Sequence, residues 1–190
     1  MAGTEDTLRA FLAIELSDEV RASLAALIRQ FRQISSKISW VPPENLHLTL
    51  RFIGEIAESR LCDIDAALGA VRSPAFDLTL ADTGHFSSRR ASRVLWVGVE
   101  KNESLMQLQG RVEAACVGAG IEPEGRNFSA HITLARLNRA PSSKVSTFLA
   151  ANAMFKAPPF RAMDFILFSS FLARGGAIHR EEATYPLDGS

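Results

Sequence analysis

Two short segments of this 190-residue chain repeat one another: Leu46-His47-Leu48-Thr49-Leu50 and Ala130-His131-Ile132-Thr133-Leu134. Both run histidine, apolar, threonine, leucine, and they take two of only four histidines. Their surroundings recur as well. His131 follows His47 by 84 positions, the apolar stretch at Val94 follows the one at Leu8 by 86, and the helical pattern at Glu103 follows the one at Asp18 by 85. Spacing this even across several elements marks an internal duplication. It narrows the folds open to the chain to those holding two copies of one unit. A pseudo-two-fold between the copies would set one histidine from each across a shared groove.

Within each copy the pattern is that of a half-buried strand. Successive side chains of an extended chain point to opposite faces, so His47 and Thr49 share one face, and His131 and Thr133 another. The leucines and Ile132 take the reverse face, where a core would want them. Two such strands facing each other supply an acid, a base and two hydroxyls. Imidazole suits this work because its ordinary pKa of ~6.5 lets one copy be neutral while the other is charged. A lone His-x-Thr is as compatible with an ordinary strand histidine; two copies at equivalent points of a repeat point to paired acid–base groups.

The rest of the chain fills in around these strands. Leu8–Leu16 is a compact apolar strand, and Ser17 is an N-cap for a helix running to about Ile34, with Val20, Leu24, Leu27, Ile28 and Phe31 on its inner face. Trp40-Val41-Pro42-Pro43 keeps the chain extended into the first motif strand, which is expected to end near Ile53, before Gly54. A second helix carries Leu61, Ile64, Leu68 and Val71. Phe76–Leu80 follows as a strand, and 82–93 as a long hairpin or loop. Val94–Val99 is a strand, and the next helix places Leu105, Leu108, Val112 and Cys116 on one face before Gly118 and Gly120. After the second motif come a helix from about Pro141, a strand over Phe160–Phe171, a turn at Gly175-Gly176 and a short strand over Ala183–Leu187. The expected organisation is a single bilobal domain over 1–190, with repeat halves near 8–82 and 94–171.

Lys and Arg together number 21, as do Asp and Glu, so the chain carries no net charge. A sequence-independent duplex binder would be basic, so any contact with nucleic acid is expected to be local, at an end or a single nucleotide. No Walker-type phosphate loop and no dinucleotide-binding glycine fingerprint occurs, and no cysteine or histidine spacing suggests a metal site, so no cofactor is expected. Cys62 and Cys116 are expected to be buried free thiols rather than a disulfide. No leader and no long apolar run is present, which points to a cytoplasmic protein without a membrane segment.

Other side chains compete for places in the groove. Arg136 is the natural clamp for a phosphate oxygen, yet strict alternation from Thr133 puts it on the wrong face unless a bulge re-aims it. Alternation instead puts Arg51 on the face of His47 and Thr49. Arg89, Arg90 and Arg93 suit an RNA backbone or a solvated hairpin tip equally. Phe11, Phe52 and Trp40, with Phe86, are candidate base-stacking rings. His85 and His179 have no companion threonine and are expected at a loop or core edge.

On these residues the chain resembles the two-histidine phosphoesterase superfamily, and within it the bacterial and archaeal RNA 2′,3′-cyclic phosphodiesterases, also called 2′-5′ RNA ligases. The likeness rests on the stretches from Arg9 to Ile14, Trp40 to Glu55, Val94 to Val99 and Phe128 to Arg136. It implies an α+β fold, bilobal, with two antiparallel sheets lining a central groove and helices outside. It further implies metal-independent hydrolysis of RNA ends bearing a 2′,3′-cyclic phosphate, tRNA fragments among them, by a monomer. In that family the first histidine, here His47, is the proton donor and the second, here His131, the acceptor. Thr49, Thr133 and Arg136 would bind the phosphate. His179 departs from the aromatic that relatives often carry near the last turn. Two other readings stay open: a nucleotide- or RNA-end-binding module with little turnover, and the same chemistry on a 2′,5′-oligoadenylate or a cyclic mononucleotide.

Overall fold

The computed structural model describes residues 6–32, 38–87, 92–138, 142–174 and 176–188. Ten strands and four α-helices alternate along them. The strands are β1 (Thr7–Glu15), β2 (Ile38–Trp40), β3 (His47–Ala57), β4 (Phe76–Leu78), β5 (Leu80–Ser87), β6 (Ser92–Val99), β7 (His131–Asn138), β8 (Phe160–Ala162), β9 (Asp164–Ala173) and β10 (Gly176–Pro186). The helices are α1 (Asp18–Phe31), α2 (Leu61–Gly69), α3 (Glu103–Gly118) and α4 (Ser142–Ala151). No helix among the described residues is long and apolar enough to cross a membrane.

Local chemistry starts the helices. The Ser17 hydroxyl accepts the Val20 N–H at 3.3 Å, with Asp18 and Glu19 in the first turn of α1. At α3 the Asn102 side chain accepts the Leu105 N–H at 2.9 Å. Each cap satisfies a backbone donor that has no partner within its helix. Both helices bury the faces expected of them: Val20, Leu24, Leu27, Ile28 and Phe31 on α1; Leu105, Leu108, Val112 and Cys116 on α3. These pack into one core with Leu12, Ile14, Leu48, Leu50, Leu95, Val97, Ile132 and Leu134 from the sheet.

The main sheet runs β10-β9-β1-β3-β7-β6-β5, with β2 also paired to β7; β4 and β8 form a separate small ribbon. The central strands β3 and β7 meet through a single pair, Leu48 opposite Ile132. This bridge joins two antiparallel lobe sheets, β9-β1-β3 and β7-β6-β5, arranged symmetrically about it. The order also shows that the lobes exchange strands. β5, which ends the first repeat, pairs with β6 of the second, while β9, from the second repeat, pairs with β1 of the first.

Each motif strand carries a bulge one residue past its threonine. Against β1, Ala13 pairs with Thr49 but Leu12 pairs with Arg51, which leaves Leu50 as the extra residue. Against β6, Trp96 pairs with Thr133 but Leu95 pairs with Ala135, which leaves Leu134 extra. An added residue reverses the alternation beyond it. Arg51 therefore turns to the core side and is buried, while Arg136 turns outward and is exposed. The expectation that Arg51 shares the face of His47 is overturned for this reason.

Other boundaries also differ from the sequence expectation. β3 continues through Gly54, whose φ of 92° a glycine adopts without strain. The stretch expected as one strand over Phe160–Phe171 is two, β8 and β9, with different partners. The expected short strand at 183–187 is the end of β10, an edge strand of 11 residues whose polar character hides its pairing with β9. Cys62 is exposed and Cys116 buried, both as free thiols.

Candidate active site

Both motif histidines are held by the same local device. His47 Nδ1 lies 2.8 Å from the Asn45 carbonyl, and His131 Nδ1 lies 2.7 Å from the Ser129 carbonyl. A carbonyl only accepts, so in the neutral ring Nδ1 carries the proton and Nε2 is left with a free lone pair. The strand beginning at each histidine thus fixes ring orientation through a backbone oxygen two residues back. On the His47 side the device is reinforced from α1. Arg21 donates to the carbonyls of Pro43, Glu44 and Leu46 at 2.8, 3.3 and 3.2 Å, pinning the 3-10 turn Pro43–Asn45 that leads into the histidine.

The rings around the two imidazoles differ. Phe11 stacks on His47 with centroids 4.9 Å apart and planes at 28°, and His179 meets it edge-on at 5.3 Å. Beside His131, Phe86 stands edge-on at 4.9 Å and Trp96 lies at 6.4 Å. Trp96 needs the glycine opposite it: a Cβ on Gly84 would stand 2.2 Å from the indole ring. Burial and the neighbouring His179 push His47 down to about 4, against the pull of the Asn45 carbonyl, with Arg21 and His131 adding to the fall. His179 is itself lowered by burial.

Thr49 and Thr133 flank the bridge between the lobes on the histidine face, and among the described residues neither hydroxyl has a protein partner. Arg136 lies on that same face beyond the Leu134 bulge, without an acidic partner among the described residues. The motif residues thus present two Nε2 lone pairs, two free hydroxyls and one free guanidinium. Such a set can take a proton, deliver one and hold a phosphate. No group of three or more His, Cys, Asp or Glu side chains is placed to hold a metal ion among the described residues.

The candidate stacking rings separate. Phe52 is 54% exposed on the groove side. Phe11 is only 4% exposed and forms a small cluster with Ala13, Ile166 and Phe168, so it backs His47 and does not offer a face to a base. Trp40 pairs with Ala135 and turns to the helix side, with its ring 6.2 Å from Phe148. A stacking role is thereby removed for Trp40 and for Phe11. Arg51 has gone to structural duty: its Nε stands 2.5 Å from Glu113 Oε2 on α3, it reaches Glu124, and it donates to the Glu122 carbonyl. Arg89, Arg90 and the side chain of Arg93 lie outside the described residues.

Three side chains at the site were not legible as such in the sequence. His179 comes from the polar edge strand β10, Arg21 from a half-buried helix position, and Trp96 from a strand that looks like core. Only the placement of a glycine opposite Trp96 was a signal, and it needs the register of β5 and β6 to be seen. A cavity of about 510 Å³ opens beside His47, walled by Pro42, Asn45, Phe168, Ala177 and His179, with Glu15 and Glu44 at its margin. His131 does not line it.

A family model described as LigT like Phosphoesterase matches the chain twice, over residues 14–96 and 97–179. The matches begin 83 residues apart, in step with the repeat read from the sequence. The RNA 2′,3′-cyclic phosphodiesterase of Archaeoglobus fulgidus is 28% identical over 174 residues, covering 92% of this chain and 97% of its own. The Escherichia coli protein of the same name is 30% identical over 181 residues, covering 88% and 89%. The crystal structure of E. coli LigT complexed with 3′-AMP has a TM-score of 0.77 at 26% identity, covering 96% of this chain and 98% of that one.

Proposed function

The chain belongs to the LigT-like phosphoesterase family, and on that footing we propose that it hydrolyses RNA 2′,3′-cyclic phosphate ends to 2′-phosphomonoesters without a metal ion. The observation that carries this reading is the matched pair of imidazoles, each with Nδ1 on a carbonyl and Nε2 free, set with Thr49, Thr133 and Arg136 on one face. Binding alone has no use for two such groups. The name shared by the A. fulgidus and E. coli relatives supports the substrate class.

In this mechanism the cyclic phosphate sits between the two histidines. His131 Nε2 takes a proton from water as its oxygen attacks phosphorus, in line with O3′. The P–O3′ bond breaks and O3′ takes the proton of His47 Nε2. The phosphate stays on O2′, and the two histidines return to their starting states by exchange with solvent. Arg136 and the threonine hydroxyls bear the charge that grows on the equatorial oxygens, where fixed donors contribute most. With an RNA 5′-hydroxyl in place of the attacking water, the same course forms the P–O5′ bond as P–O3′ breaks and joins the ends through a 2′-5′ linkage.

His47 must be charged to donate, and burial together with the neighbouring His179 holds it neutral at pH 7. The bound phosphate anion opposes that depression and restores the proton. The same observation favours a second reading in which the roles are exchanged, with His47 as base and His131 as donor. An oligoribonucleotide ending in a 2′,3′-cyclic phosphate decides the leaving group: a 2′-phosphate product is expected, and a 3′-phosphate contradicts the scheme. Full activity in excess EDTA is expected, and loss of activity there would point to a metal-dependent reaction.

A further inference from the structure

The cavity beside His47 is more than an approach to the reacting phosphorus. The start of β10 lies against the entry of β3, where the Asn45 side-chain amide donates to the Ala177 carbonyl at 2.8 Å. That contact spans 132 positions of sequence and roofs the space between the hairpin and His47. The same Asn45 supplies the carbonyl that orients His47, so roof and catalytic ring share one residue. The cavity's ~510 Å³ is of the size that small-ligand sites have.

In-line chemistry says what must lie there. O3′ leaves toward the proton donor, and the ribose and its base are attached on that same side, while the nucleophile arrives from the side of His131. Among the described residues every wall residue of the cavity comes from the β1, β3, β9 and β10 side, with none from β6 or β7. Its chemistry excludes a further phosphate. Among the described residues no lysine or arginine lines it, whereas Glu15 and Glu44 do, and neither carboxylate is paired. Phe168 and the edge of His179 offer a ring-sized contact, 6.4 Å apart.

We propose that this cavity seats the terminal nucleoside of the substrate against His179, and that Glu15 and Glu44 make the site favour bases carrying an exocyclic amino group. The preference follows from the wall. Carboxylates and the free Asn45 side-chain oxygen accept hydrogen bonds, and adenine, cytosine and guanine present an amino donor where uracil presents only a carbonyl. The proposal rests on the hydrolytic reading, with His47 on the leaving-group side.

The test is steady-state kinetics with the four nucleoside 2′,3′-cyclic monophosphates. For the wild-type protein, kcat/KM for the adenosine and cytidine substrates exceeds that for uridine by about 3- to 10-fold, the effect of one net hydrogen bond. The double variant Glu15→Ala, Glu44→Ala, which removes both acceptors, brings that ratio close to one. His179→Ala raises KM more than it lowers kcat, and His179→Phe, which keeps a ring against Phe11 without the polar edge, fails to restore KM. Full restoration by phenylalanine would reduce His179 to packing and overturn its assignment. Equal use of all four bases by the wild type, with KM unmoved in the variants, would overturn the subsite and leave hydrolysis intact. A wild type that turns over none of the four would overturn the hydrolytic reading itself, and the subsite with it.

Discussion

His47 and His131 carry the same motif and the same carbonyl two residues back, yet the folded chain treats them differently. Replacing either by alanine is expected to lower kcat/KM by ~10²-fold or more, the usual worth of a positioned acid or base. The pH profile then separates their roles. A donor counts only in its protonated form, and kcat/KM reports the free protein, so a His47 donor makes kcat/KM decline as pH rises from about 4. In kcat the decline comes at higher pH, because the bound phosphate favours the charged ring. His179→Phe removes one of the influences that depress His47, so the decline in kcat/KM moves upward in pH. A kcat/KM that instead climbs through about pH 4 and then levels assigns His47 as the base. Arg136→Ala is expected to cost about 10- to 100-fold in kcat/KM, as for a lost hydrogen bond to a charged group. An unchanged value would leave the phosphate to the threonines alone.

At the scale of elements, the two bulges decide which arginine serves the groove. Thr49 and Thr133 were legible from alternation alone, but alternation fails one residue later, at Leu50 and at Leu134. The outcome is a trade between lobes: Arg136 reaches the groove in one, and the corresponding turn outward in the other belongs to Phe52. Arg51, turned inward, ties β3 to Glu113 of α3 with only 6% of its side chain exposed. Arg51→Ala leaves the partly buried Glu113 without its cation, while Glu124 keeps Arg126, and the loss is expected to cost ~3 kcal/mol of stability. Chemical denaturation measures it, and a loss under 1 kcal/mol would mean that solvent replaces the arginine. β10 was largely hidden for a different reason. An edge strand satisfies one side of its backbone with water, so its sequence needs no apolar run to hold it.

For the whole molecule, the exchange of β5 and β9 means that neither repeat is complete by itself. The first repeat lacks the strand that pairs with the outer side of β1, and the second lacks the one that pairs with β6. A fragment ending at residue 90 therefore exposes both edges of its own sheet fragment and is expected not to fold cooperatively. The full chain is expected to unfold in one transition. Circular dichroism and dispersion of amide proton resonances test both, and a folded, cooperative fragment would show that the exchange is dispensable. The groove depends on the same arrangement, since its two histidines come from strands joined only by Leu48 and Ile132.

The sequence by itself determined the duplication, the helix faces, the two half-buried strands and the pair of imidazoles, because each is a periodic pattern or a short local motif. It also carried the family resemblance that the comparisons bear out. Only the tertiary structure decided which arginine turns to the histidine face, which rings stand beside each histidine, and that a third histidine meets His47. Those depend on strand register and on contacts such as Asn45 to Ala177, made between residues far apart along the chain. A single extra residue in a strand reverses every side chain beyond it, and no count along the sequence announces where that residue falls.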